Sequence, residues 1–153
     1  MCVGCRCCRC CCCAVRLAEV EATYSREDIT VYAFNNDFEG VRRELRKKKK
    51  KINWKEKSTG ATALHRAACA GNLSMVEFLI HRGANINAKD FWGYTPLHEA
   101  SKGGFDEVVE FLLDRGAQIT LTKYKKTPLD LAEERSKARV QAVFRMFAEG
   151  DTQ

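Results

Sequence analysis

The chain has 153 residues, the size of one domain with tails, and a formal charge of +6 that is unevenly spread. Its apolar fraction of 45% is inflated by nine cysteines, eight of them within the first 13 residues, where they add nothing to a regular core. No apolar run approaches the ~18 uninterrupted residues of a membrane-spanning helix, and Arg6 and Arg9 break the stretch where a secretory signal needs a clean apolar centre.

Residues 1–22 read as a cysteine-rich, low-complexity tail without packed structure. Cys2, Cys5, Cys7, Cys8, Cys10, Cys11, Cys12 and Cys13 follow one another with almost no spacers. Tetrahedral thiolate sites use separated Cys-x-x-Cys pairs on a turning scaffold. Cys2 and Cys5 have that spacing, but consecutive cysteines from Cys10 onward point in different directions. A second reading is S-palmitoylation of Cys10, Cys11, Cys12 and Cys13: at roughly 0.8 kcal/mol per buried methylene, two acyl chains anchor a protein firmly. These readings make the chain a metal- or redox-responsive protein or a membrane-tethered regulator, with membrane contact expected only through lipidation. Cys69 is the one cysteine outside the head, so the rest of the chain forms no internal disulfide. That fits a reducing compartment, cytoplasmic or nuclear.

Ser25-Arg26-Glu27-Asp28 can cap a helix, with the acids well placed in its first turn. Ile29, Tyr32 and Ala33 follow at helical spacing. Asn36 stands where two later segments have Gly71 and Gly104, which predicts a left-handed backbone that Asn tolerates best after Gly. Phe38, Val41 and Leu45 continue at helical spacing, matching Leu73, Val76 and Ile80. The helix runs through Arg42-Arg43-Glu44-Leu45-Arg46 into Lys47, Lys48, Lys49, Lys50 and Lys51, before Ile52-Asn53 matches Ile86-Asn87. The lysines are either a solvated cluster at a helix C-terminus, which the macrodipole favours, or a nuclear-import signal or contact for an acidic partner or phosphate. Sequence-specific nucleic-acid recognition is not expected, since no aromatics interleave with this run and no groove-reading motif occurs.

The next stretch repeats itself. Gly60, Leu64, His65, Ala67, Gly71, Val76, Leu79 and Gly83 recur 33 residues later as Gly93, Leu97, His98, Ala100, Gly104, Val109, Leu112 and Gly116. A fixed period of this length means stacked supersecondary units, each unable to bury its apolar face alone. The core faces are expected to be Leu64, Ala67 and Ala68, or Leu97, Ala100 and Ser101, in the first helices. In the second they are Val76, Leu79 and Ile80, or Val109, Leu112 and Leu113. In the last stretch Thr127-Pro128-Leu129-Asp130-Leu131-Ala132 recurs at an offset of 32, with Asp130 in the His place and Ser136 in the Gly place. Val140, Val143, Phe144 and Phe147 then line one side of a final helix, with Arg139 and Arg145 left to water.

Thr62-Ala63-Leu64-His65-Arg66-Ala67 and Thr95-Pro96-Leu97-His98-Glu99-Ala100 carry a resemblance to the ankyrin-repeat family, whose signature and period these are. The resemblance implies a small stand-alone all-α solenoid of about four helix-turn-helix units with short β-hairpin-like loop tips. The domain is expected over residues 23–149, with units near 24–56, 57–89, 90–122 and 123–149, and residues 150–153 frayed. In the family the signature His supports the backbone with the Thr three residues earlier, so His65 and His98 are expected to be structural, and His81 is expected to be solvated. No nucleophile with a matched base, phosphate-cradling loop or metal-spaced His/Cys set occurs in the repeats, so neither an enzyme nor a cofactor or metal is expected.

The resemblance further implies partner contacts at the loop tips and on the first helices. By motif these are Lys89, Phe91, Trp92 and Tyr94 on a tip and Arg66, Cys69, Glu99 and Lys102 on helices. One period before Phe91 and Trp92 stand Ser58 and Thr59, so this tip is distinctive. Its aromatics either pack on the neighbouring tip or anchor a partner. The expected function is that of a monomeric, non-catalytic adaptor or stoichiometric regulator that binds another protein.

Overall fold

A computed structural model describes residues 28–46 and 52–150. The cysteines at 10–13 and the lysines at 47–51 lie outside the described residues, as do the lipid, metal and import readings attached to them. Among the described residues there are eight helices and no strands. They are α1 (Ile29–Phe34), α2 (Phe38–Arg46), α3 (Ala63–Ala70), α4 (Leu73–His81), α5 (Pro96–Gly103), α6 (Asp106–Asp114), α7 (Pro128–Glu134) and α8 (Ala138–Gly150).

Each odd-numbered helix pairs with the even-numbered helix that follows it, and the odd-numbered helices stack in the order α1, α3, α5, α7. Residues small enough for close approach make that stack possible: Ala67, Ala68, Ala100 and Ser101 are all fully buried. The turn inside each pair needs a left-handed residue. Asn36, Gly71, Gly104 and Ser136 supply it, with φ of 60°, 72°, 85° and 52°. Asn and Ser therefore do in the outer units what Gly does in the inner ones, at some conformational cost. At Gly71 the need is also spatial, because the Phe105 ring lies where a β-carbon would sit.

The core runs unbroken from Ile29 to Phe144 through Leu64, Leu79, Leu97 and Leu112. On the second helices the expected face is turned slightly. Met75 and Val108 are fully buried, whereas Ile80 and Leu113 are only partly covered. On α8, Val140, Val143 and Phe144 are buried and Phe147 packs against them, while Arg139 and Arg145 face water. That helix closes the stack.

Candidate functional site

The loops before α3, α5 and α7 form three tips, described at residues 52–62, 82–95 and 115–127. Each is a hairpin-like reversal made without a strand. Glu56 N–H donates to the Ala61 carbonyl at 2.8 Å, Asp90 to Tyr94 at 2.9 Å, and Thr122 to Lys126 at 3.0 Å. In the second tip the Asp90 carboxylate accepts the N–H groups of Trp92 and Tyr94 at 2.9 and 2.8 Å. In the third, Thr122 Oγ1 takes the same place, accepting from Tyr124 and Lys126 at 3.3 and 3.2 Å. The tips are also tied to one another. Phe91 N–H donates to the Thr59 carbonyl at 3.0 Å, and Lys123 N–H to the Trp92 carbonyl at 2.9 Å.

Below the tips, the signature residues hold the backbone. The Thr62 N–H donates to His65 Nδ1 at 3.1 Å, with Thr62 Oγ1 2.9 Å from the same nitrogen. Because Nδ1 accepts, the proton sits on Nε2, which donates to the Tyr94 carbonyl of the next tip at 3.0 Å. His65 thus joins one unit to the next. Thr95 and His98 repeat the inner half of this arrangement at 3.1 and 2.8 Å. His98 Nε2 reaches no acceptor with hydrogen-bond geometry, although the carbonyls of Lys126 and Thr120 act on the ring. Burial is the main cause that lowers both imidazoles to about 4, so both are neutral at physiological pH. In the last unit Asp130 serves in place of His, accepting from the Thr127 N–H at 2.7 Å while its own N–H donates to Thr127 Oγ1 at 3.1 Å. The Thr127 backbone N–H, and after it the Thr127 hydroxyl, hold the Asp130 carboxyl below its usual range.

The residues expected on the helix side are more enclosed than a bare concave face would make them. Cys69 is only 2% exposed and offers a partner almost nothing. Arg66 is bonded to Glu56 at 2.5 Å, and Glu56 also accepts from Ser58 and Thr59, so this arginine braces the first tip. Lys102 lies 3.9 Å from Glu99 and 5.5 Å from the Tyr94 ring centroid, and all three are partly covered. The tip side is open. Lys89 is exposed, Phe91 is 49% exposed and Trp92 40%. Phe91 has two roles: its ring covers Gly60 of the first tip, where any β-carbon would collide with it, and its remaining surface faces outward. Two further exposed residues extend the patch: Leu121 at 56% and Tyr124 at 61%. Neither was among the expected contact residues. The signal was there at an offset of 32, which places Tyr124 opposite Trp92, but only if the shorter last tip is aligned separately. Phe91, Leu121, Lys89 and Lys123 line a shallow open depression of about 570 Å³ between the second and third tips. Among the described residues no cluster of side chains could hold a metal ion, and no helix is long and apolar enough to cross a membrane.

Family profiles match this architecture. The one described as Ankyrin repeat matches residues 59–91, and the one described as Ankyrin repeats (many copies) matches residues 79–132. Residues 59–132 are ankyrin repeats. Such repeats are protein–protein interaction modules, generally without catalytic activity. This ankyrin-repeat chain is similar to part of Potassium channel AKT1 of Arabidopsis thaliana, 37% identical over 89 residues, which cover 58% of this chain and 7% of the channel. It is also similar to part of Tonsoku-like protein of Danio rerio, 38% identical over 76 residues, which cover 49% of this chain and 5% of that protein. The chain therefore spans less than a tenth of either relative.

Proposed function

We propose that this ankyrin-repeat chain is a recognition module that binds another protein through the outer rim of its second and third tips, acting as an adaptor or stoichiometric regulator inside the cell. The observation that carries this reading is the exposure of Phe91, Trp92, Leu121 and Tyr124 on tips whose backbones are already fixed by hydrogen bonds. Rigid aromatic anchors on an ordered scaffold lose little entropy on association and dominate interface energetics. The enclosure of Cys69, Arg66, Glu99 and Lys102 favours the tips over the helix face as the principal contact. Similarity to short segments of two otherwise different proteins fits a portable interaction module.

The test is a quantitative pull-down from cell extract with the parent chain and with Trp92→Ala combined with Tyr124→Ala. The specific partner should be lost from the double variant while its thermal midpoint stays near the parent value. Retention of the partner, or a collapse of the midpoint, contradicts the reading.

A further inference from the structure

We infer that the segment this rim takes is an acidic one, carrying at least one large apolar side chain. The inference rests on the tip-binding reading above and adds the chemistry of the partner. The charges on the three tips are sorted by direction. The described tip residues carry two acids, and both are engaged by the protein itself. Glu56 is buried against Arg66, and Asp90 is spent on the N–H groups of Trp92 and Tyr94. The tip lysines turn outward. Lys126 is tied to Glu134, and Lys55 Nζ donates to the Lys89 carbonyl at 2.7 Å. Lys57, Lys89, Lys123 and Lys125 are exposed, and among the described residues no carboxylate lies within ion-pair distance of Lys89, Lys123 or Lys125. The excess is local to the rim. Helix α6 carries Asp106, Glu107, Glu110 and Asp114.

Two more observations point the same way. Lys125 has φ 59°, in the place where the first and second tips have Gly60 and Gly93. A lysine there is strained, and the strain puts a cation at the crest of the tip. The shallow depression of about 570 Å³ between the second and third tips offers an open seat for an apolar side chain. Its walls pair apolar Phe91 and Leu121 with cationic Lys89 and Lys123, and the Asp90 carboxyl that also lines it already accepts the N–H groups of Trp92 and Tyr94. A single-stranded nucleic acid would also meet lysines and aromatics here. However, one face of Phe91 is already taken by Gly60, and the exposed Leu121 and Ile119 offer aliphatic contact rather than stacking. An acidic peptide with an apolar anchor matches both the lysines and the apolar side chains of this surface.

The experiment is selection of a random dodecapeptide phage library on the full chain at low salt. Affinities of the enriched peptides are then measured for the parent, for Lys89→Glu with Lys123→Glu and Lys125→Glu, and for Trp92→Ala with Tyr124→Ala, each checked for an unchanged thermal midpoint. The enriched peptides should be net negative with an aromatic or aliphatic residue. Charge reversal should weaken them about tenfold or more, with a steep salt dependence. The inference is overturned by neutral or basic peptides, by a library that yields no binder, or by charge reversal that leaves affinity unchanged. Equally tight binding of oligothymidylate, or a self-association that the same reversal dissolves, overturns it too. If reversal has no effect but the aromatic double variant abolishes binding, only the acidic preference fails. If neither variant matters, the tip reading itself fails.

Discussion

His65 and His98 are neutral because burial excludes the water that would stabilise their charged form. The sign of the consequence follows from proton counting. The unfolded chain binds a proton at each near pH 6.5, whereas the folded chain does so only near pH 4. Stability is therefore complete above pH 6.5 and is lost as pH falls toward 4, by about 3 kcal/mol per histidine across the whole interval. Urea midpoints between pH 7 and pH 5 should fall steeply for the parent. For His65→Gln the midpoint should start lower and fall less. A parent midpoint that does not move over this range would show that the imidazoles are not held neutral. Lys125 allows a second test at one residue. Its left-handed backbone costs roughly 1–2 kcal/mol that Gly avoids, against about 0.5–1 kcal/mol for Gly's greater freedom in the unfolded chain. Lys125→Gly should raise stability by about 0.5–1 kcal/mol in urea titration. A loss would mean that the lysine side chain makes a contact worth more than the strain.

At the scale of the helix, period and face were readable to different degrees. The spacing of Leu64, Leu79, Leu97 and Leu112 located four helices because burial on one side leaves a 3.6-residue signature. The turn of the buried face toward Met75 and Val108 was not readable, because Met, Ile, Val and Leu are equally apolar and only the packing partner decides among them. Asn36 and Ser136 were readable as turn residues, since their places in the period are those of Gly71 and Gly104. The enclosure of Arg66 was not, because its partner Glu56 lies in the loop before its helix. These differences have measurable consequences. Leu79→Ala should cost roughly 2–5 kcal/mol, as a fully buried leucine. Ile80→Ala, on the partly covered flank, should cost distinctly less in the same denaturant titration. Equal losses would contradict the observed orientation of α4.

Over the whole molecule, stability belongs to the interfaces between units rather than to any unit alone. Hydrogen bonds cross those interfaces at the tips, from His65 to Tyr94, Phe91 to Thr59 and Lys123 to Trp92, and away from the tips from Asn72 to the Phe34 carbonyl. Stacking the helices therefore also sets the rim that faces a partner. The period of 33 residues made the stack legible, and the doubled aromatics made half of the rim legible. Leu121 and Tyr124, the other half, come from a tip shortened by one residue. A search for one fixed period passes over them. Amide hydrogen exchange of the free chain tests the pre-formed rim most directly. The N–H groups of Phe91, Trp92, Tyr94 and Lys123 should exchange far more slowly than an unstructured peptide, with Phe91 and Lys123 tracking the core helices. Exchange of these four amides at unprotected rates, with the helices still protected, would contradict a rim ordered before its partner arrives.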